Sequence, residues 1–152
     1  MRRLAPVLVA GLALAACGGG HKASTTTTGS VSQQALIINS WEKFFAPQGD
    51  VSTKDYIAGR VASLQNGPKF KSVVEAFTSN PLARNVNAKV SSVTLQGSNK
   101  AKVVYTIKLG SAALPKQTGY AVRQNGVWKV SDASLCKLIA LGGKPPSVCT
   151  TQ

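Results

Sequence analysis

The sequence predicts an α+β fold in which N-terminal helices pack on a curved four-stranded antiparallel sheet, with a helix closing the C-terminal end. Three observations predict it. Apolar residues recur at helical spacing in three successive runs between positions 36 and 77. Strict alternation then takes over from 100 to 109, and the segment "YAVRQNGVWKV" reads as a second hairpin. Directly after that hairpin, Ser131-Asp132 starts another helical run.

The first element is not part of the fold. Arg2 and Arg3 precede a charge-free apolar run over residues 4–16, which is the anatomy of a secretory leader. Thirteen residues make roughly 20 Å of helix. That is too short for a hydrocarbon core of about 30 Å. The run ends in Leu14-Ala15-Ala16-Cys17, which resembles the lipobox of bacterial lipoproteins. The resemblance implies cleavage before Cys17, a lipid on its thiol, and a membrane anchor on the extracytoplasmic face. Two or more acyl chains hold a protein stably where one does not. The next stretch, "GGGHKASTTTTGS" from Gly18 to Ser30, buries too little apolar surface to fold. As a flexible tether it spans about 20 Å on average and about 45 Å when extended. His21, the one histidine of the sequence, lies in it.

The folded domain is expected over residues 31–152. Leu36, Trp41, Phe44 and Phe45 mark a first helix, stopped by Pro47. A second starts at Ser52 or Thr53, with Asp55 in its first turn where negative charge suits the helix dipole. Tyr56, Ile57, Arg60, Val61 and Leu64 carry it to Asn66-Gly67. A third runs from about Pro68 to Asn80-Pro81, with Phe70, Val73, Val74 and Phe77 on one side.

In the strand over 100–109, Ala101, Val103, Tyr105, Ile107 and Leu109 face inward. Val93 and Leu95 share that face if Gly97-Ser98-Asn99 is a three-residue loop, with Asn99 expected at positive φ. For the second hairpin, a three-residue loop Gln124-Asn125-Gly126 pairs Val122 with Trp128 and Tyr120 with Val130, keeping one face apolar. A two-residue Asn125-Gly126 turn sets Arg123 opposite Trp128, and the apolar pairing is the expectation adopted. The last helix buries Leu135, Leu138 and Ile139 and ends at Gly142-Gly143.

Composition restricts function. The 152 residues carry a net charge of +13, or +11 once Arg2 and Arg3 are removed. Export and the scatter of the lysines exclude nucleic acid as the partner, and an anionic membrane or envelope surface fits better. With Cys17 lipidated, Cys136 and Cys149 remain as the intramolecular pair. Outside the cytoplasm such a pair oxidises. Zinc wants four nitrogen or sulfur ligands, so two thiols with no histidine nearby make a poor metal site. No metal and no cofactor are expected.

The element order and the "GVWKVSD" strand-to-helix junction resemble the nuclear-transport-factor-2-like, cystatin-like cone. More narrowly, Leu64-Gln65-Asn66-Gly67, Ala88 to Leu95 and Val122 to Asp132 are similar to the actinobacterial low-molecular-weight antigen family, small exported proteins and lipoproteins. The likeness covers roughly residues 31–141. Enzymes on the cone, ketosteroid isomerases and dehydratases among them, place Asp, His or Tyr in its pocket. Here no Asp, Glu or His lies between Glu75 and Asp132, so every expected strand lacks one. No nucleophilic triad forms without a folded histidine. Gly142-Gly143-Lys144 lacks the spacing of a phosphate loop. The chain is therefore expected not to be an enzyme.

Two functions remain. In the favoured one, Lys100, Lys102, Lys108, Arg123 and Lys129 collect on one sheet face that docks to an anionic envelope polymer or protein. In the alternative, the cone binds an apolar or anionic small molecule, with Tyr56, Tyr105 and Tyr120 at the rim. Buried Tyr and Trp need a partner for their polar tips, which favours the tyrosines for that position.

Overall fold

The computed structural model describes residues 31–150. Leader, Cys17 and tether lie outside the described residues.

The helices are α1 (Gln33–Phe44), α2 (Thr53–Ser63), α3 (Lys71–Ser79), the four-residue α4 (Pro81–Arg84) and α5 (Asp132–Gly142). The strands are β1 (Val86–Leu95), β2 (Lys100–Leu109), β3 (Ala112–Gln124) and β4 (Val127–Val130). They form one antiparallel sheet in the order β1-β2-β3-β4, curled into a half-barrel. The predicted α+β class, with helices on a four-stranded antiparallel sheet, is what the structure shows.

Three helix starts, those of α1, α2 and α5, carry a serine cap. Ser32 caps α1 by accepting from the Ala35 amide at 3.1 Å. Ser52 accepts from the Asp55 amide at 3.2 Å and donates to the Asp55 carboxylate at 2.7 Å. Ser131 accepts from the Ser134 amide at 3.1 Å. Such caps are each worth about 1 kcal/mol. The expected third helix begins instead as a 3-10 turn, Gly67–Phe70, and α3 follows from Lys71. A Cβ on Gly67 would collide with the Val61 carbonyl oxygen, so the tight entry requires glycine.

The buried stripe of α1 is Ile37, Trp41, Phe44 and Phe45, at spacings of four, three and one. Leu36, expected on that stripe, is largely exposed. The helix contacts both edge strands, β1 and β4. Trp41 is fully buried at the centre of the sheet's inner face, its ring 4.9 Å from that of Tyr105 and 6.2 Å from that of Phe45. Phe45 meets Phe44 edge-on at 4.7 Å. These rings fill the interior, and with Leu64, Phe70, Val103 and Val130 they form the core.

The β1–β2 register is the predicted one, Leu95 opposite Ala101 and Val93 opposite Val103. Positive φ falls on Gly97 (φ 78°), not on Asn99, since glycine takes it without a Cβ penalty. The β3–β4 hairpin corrects the prediction. Its turn is the two residues Asn125 and Gly126, both at positive φ (52° and 80°), which places Arg123 opposite Trp128 and Ala121 opposite Val130. A turn with two positive φ values matches the right-handed strand twist. The inner positions of β3 are small for a reason. A Cβ on Gly119 would lie 2.7 Å from Trp41 Cη2. The larger Tyr120 and Val122 therefore go to the outer face.

Cys136 and Cys149 form the expected disulfide, with a Cα separation of 5.5 Å. It ties α5 to the 3-10 turn Ser147–Cys149.

Candidate functional site

The outer face of the sheet follows from the alternation of β2. With Ala101, Val103, Tyr105 and Ile107 buried inward, Lys100, Lys102 and Lys108 must point outward, and all three are exposed. Pairing extends the face across its neighbours. Lys102 stands opposite Thr94 on β1 and Tyr120 on β3, and Lys100 stands opposite Val122, itself paired with Lys129 on β4. The Lys100 ammonium sits 4.4 Å from the centroid of the Tyr120 ring. Such a contact on an exposed surface contributes about 0.5–1 kcal/mol.

Four of the five predicted cations, Lys100, Lys102, Lys108 and Lys129, therefore share this face. Arg123 does not. The two-residue turn puts it on the inner side at the exposed end of the hairpin, where its Nε donates to the Gly126 carbonyl at 3.2 Å. Lys89 joins the face without being among the five predicted cations. It lies on the outer side of β1 opposite Thr106, and its spacing from Asn87 could have found it. Among the described residues the ion pairs are Lys71–Glu75 and Lys89–Glu42, the latter at 3.4 Å. Lys100, Lys102, Lys108 and Lys129 thus carry no carboxylate partner. Lys129 also borders an open groove beside α2 with Lys54 and the Lys71–Glu75 ion pair.

Four of the five carboxylates, Glu42, Asp55, Glu75 and Asp132, have structural partners. Glu42 accepts from the Val90 amide at 3.1 Å, capping a free donor on edge strand β1. Asp132 accepts from Asn66 Nδ2 at 2.8 Å and from the Ala133 amide at 2.7 Å. Asp55 belongs to the α2 cap, and Glu75 pairs with Lys71. No group of three or more His, Cys, Asp or Glu side chains capable of holding a metal occurs among the described residues.

The three tyrosines expected at one rim are dispersed. Tyr105 is almost wholly buried in the core, where burial raises its phenol far above the ordinary value. Tyr120 lies on the outer face under Lys100. Tyr56 is buried and donates to the Ala46 carbonyl at 2.8 Å; burial raises its pKa, and neighbouring Arg60 opposes the rise. Arg60 itself is buried, with its guanidinium 4.4 Å from the Tyr56 ring centroid, 5.6 Å from that of Phe77 and 5.9 Å from that of Phe44. Desolvation lowers its pKa.

A cavity of about 250 Å³ opens between α5 and one end of the sheet. Phe44, Phe77, Ile107, Leu114, Leu138 and Leu141 are among its walls, and none of its lining side chains is polar. None of the three tyrosines touches it.

Two of the three segments quoted for the family likeness, Leu64–Gly67 and Val122–Asp132, converge in space, while Ala88 to Leu95 lies in β1 at the opposite sheet edge. Leu64 bridges Val130, and the Gln65 amide donates to the Val130 carbonyl at 2.8 Å. Asn66 and Gln124 exchange two hydrogen bonds, at 3.0 and 3.2 Å. These two segments are thus the halves of one clasp holding α2 against β4 and α5. No curated protein matches the chain. A family model does, over residues 30–146: the low molecular weight antigen MTB12, C-terminal domain. With that match spanning the helices, the whole sheet and α5, the chain belongs to the MTB12 low molecular weight antigen family.

Proposed function

We propose that this protein is a non-catalytic, lipid-anchored domain on the extracytoplasmic face of the cell membrane, docking through its outer sheet face to an anionic envelope polymer. The carrying observation is that Lys100, Lys102, Lys108 and Lys129 emerge together from strands that contain no carboxylate. Basic groups near such a surface contribute about 1 kcal/mol each, screened within about 10 Å at 0.1 M salt. Half-buried Val104, Thr106, Tyr120 and Val122 supply the floor between the charges. The lipobox-like end of the leader and the Gly/Ser/Thr tether support the anchor. The engagement of Glu42, Asp55, Glu75 and Asp132 in caps, clasp and ion pairs supports the absence of chemistry.

The test uses the mature chain carrying Cys17→Ser, so that no lipid contributes. Changing Lys100, Lys102, Lys108 and Lys129 together to Gln should abolish retention on anionic envelope polymer at low salt. Undiminished retention would reject the reading. The alternative, a small-molecule pocket, is favoured by a separate observation, the apolar cavity beneath α5.

A further inference from the structure

That cavity has a composition that selects its occupant. All twelve residues around it are apolar or glycine, and they come from α1, α3, all three long strands and α5. A hydroxyl or amide placed inside would lose its water and find no side-chain partner, at a cost of about 1–3 kcal/mol. Engineered cavities of roughly 150 Å³ with similar walls stay dry and take up apolar molecules. At roughly 30 Å³ for a water-sized group, comparable in bulk to a methylene, 250 Å³ has room for about eight such groups.

The surroundings of the cavity carry an excess of positive charge. The segments that supply its walls also carry exposed Lys116 and Lys137, Lys144 follows α5 directly, and Glu42 and Glu75 on α1 and α3 are each paired with a lysine. From residue 76 onward the sequence has a single acid, Asp132, at the opposite end of α5 and held by Asn66. Behind the walls lies Arg60, whose guanidinium rests against the Phe44 and Phe77 rings with no carboxylate within 4 Å among the described residues.

We propose that the cavity between α5 and the sheet holds the hydrocarbon chain of a single-chain anionic amphiphile, of the fatty-acid class. The apolar walls take about eight methylenes, and the lysines around the site favour a negative head outside it. Entry is at α5, where Leu141 is 59% exposed at the cavity wall. This site is independent of the outer sheet face, so either assignment stands if the other fails.

The test titrates decanoate, below its micelle concentration, into the mature chain carrying Cys17→Ser, so that no attached lipid competes. Methyl NMR should show saturable one-to-one binding, with shifts centred on Ile107, Leu114, Leu138 and Ile139. Butyrate should give no saturation, and decylammonium should bind at least tenfold more weakly than decanoate. Leu141→Asp, at an exposed position the fold tolerates, should weaken decanoate at least tenfold. Absence of saturable decanoate binding, shifts centred elsewhere, or equal affinity for decylammonium would each overturn the proposal. A misfolded Leu141→Asp would leave the other comparisons to decide it.

Discussion

Asn66 Nδ2 donates to the Asp132 carboxylate at 2.8 Å across 66 positions of sequence, joining the end of α2 to the start of α5. Asn66 sits at φ 52°, a left-handed conformation that asparagine tolerates better than most residues. Its side-chain oxygen accepts from Gln124, so one residue fastens three elements. Asn66→Ala should cost about 2–3 kcal/mol, because it strands partners and strains the backbone. Denaturant midpoints check it. Asn66→Gly, which relieves the strain only, should recover part of the loss.

Gly119 is the position where Trp41 needs space. A methyl there would lie 2.7 Å from Trp41 Cη2 and 3.0 Å from Ser134 Oγ. Gly119→Ala should destabilise by about 1–3 kcal/mol through overpacking. Thermal unfolding of the variant measures it, and a near-UV circular dichroism change should report the displaced indole.

The disulfide closes a loop of sequence separation 13. In the chain-entropy model such a cross-link contributes about 3 kcal/mol. The Cys136→Ser, Cys149→Ser double variant should unfold at lower temperature by that measure. Wild-type protein in reducing agent should match it. Because the bridge ties down α5, hydrogen exchange should rise first over residues 132–142.

Burial raises the pKa of both Tyr105 and Tyr56 in the folded state. In the unfolded chain a tyrosine loses its proton near pH 10. Above that pH the unfolded state binds fewer protons than the folded one, so stability falls as pH rises. Stability should therefore be level from pH 7 to about 9 with respect to these groups and decline beyond about pH 10. Tyr105→Phe should flatten that decline, as measured by denaturant titrations at each pH.

The β1–β2 register was legible because alternation on both flanks of Gly97-Ser98-Asn99 allowed one pairing of apolar faces. The second hairpin misled because the larger residues of β3 are on the outside. Gly119 and Ala121 face inward, where Trp41 needs room, and a demand from α1 has no local trace in β3. The Asn125-Gly126 turn signal was the better guide. For the same reason the clasp of Gln65, Asn66, Gln124 and Asp132 was invisible as a clasp. Its hydrogen bonds run between residues 58 to 67 positions apart. Four cations of the basic face followed from strand alternation or survived the register error, whereas Arg123 changed sides with the one-residue slip. The cavity beneath α5 depends on how a helix lies on a sheet end, which periodicity does not encode.

Two single substitutions separate a basic face from mere net charge. Lys102→Gln removes a cation at the centre of the outer face, while Arg123→Gln removes one from the other side. The dissociation constant of the mature Cys17→Ser chain for anionic envelope polymer at low salt is the measurement. Lys102→Gln should weaken binding about fivefold, the equivalent of about 1 kcal/mol, and Arg123→Gln should leave it unchanged. Equal losses in the two variants, or no loss in either, would contradict the account.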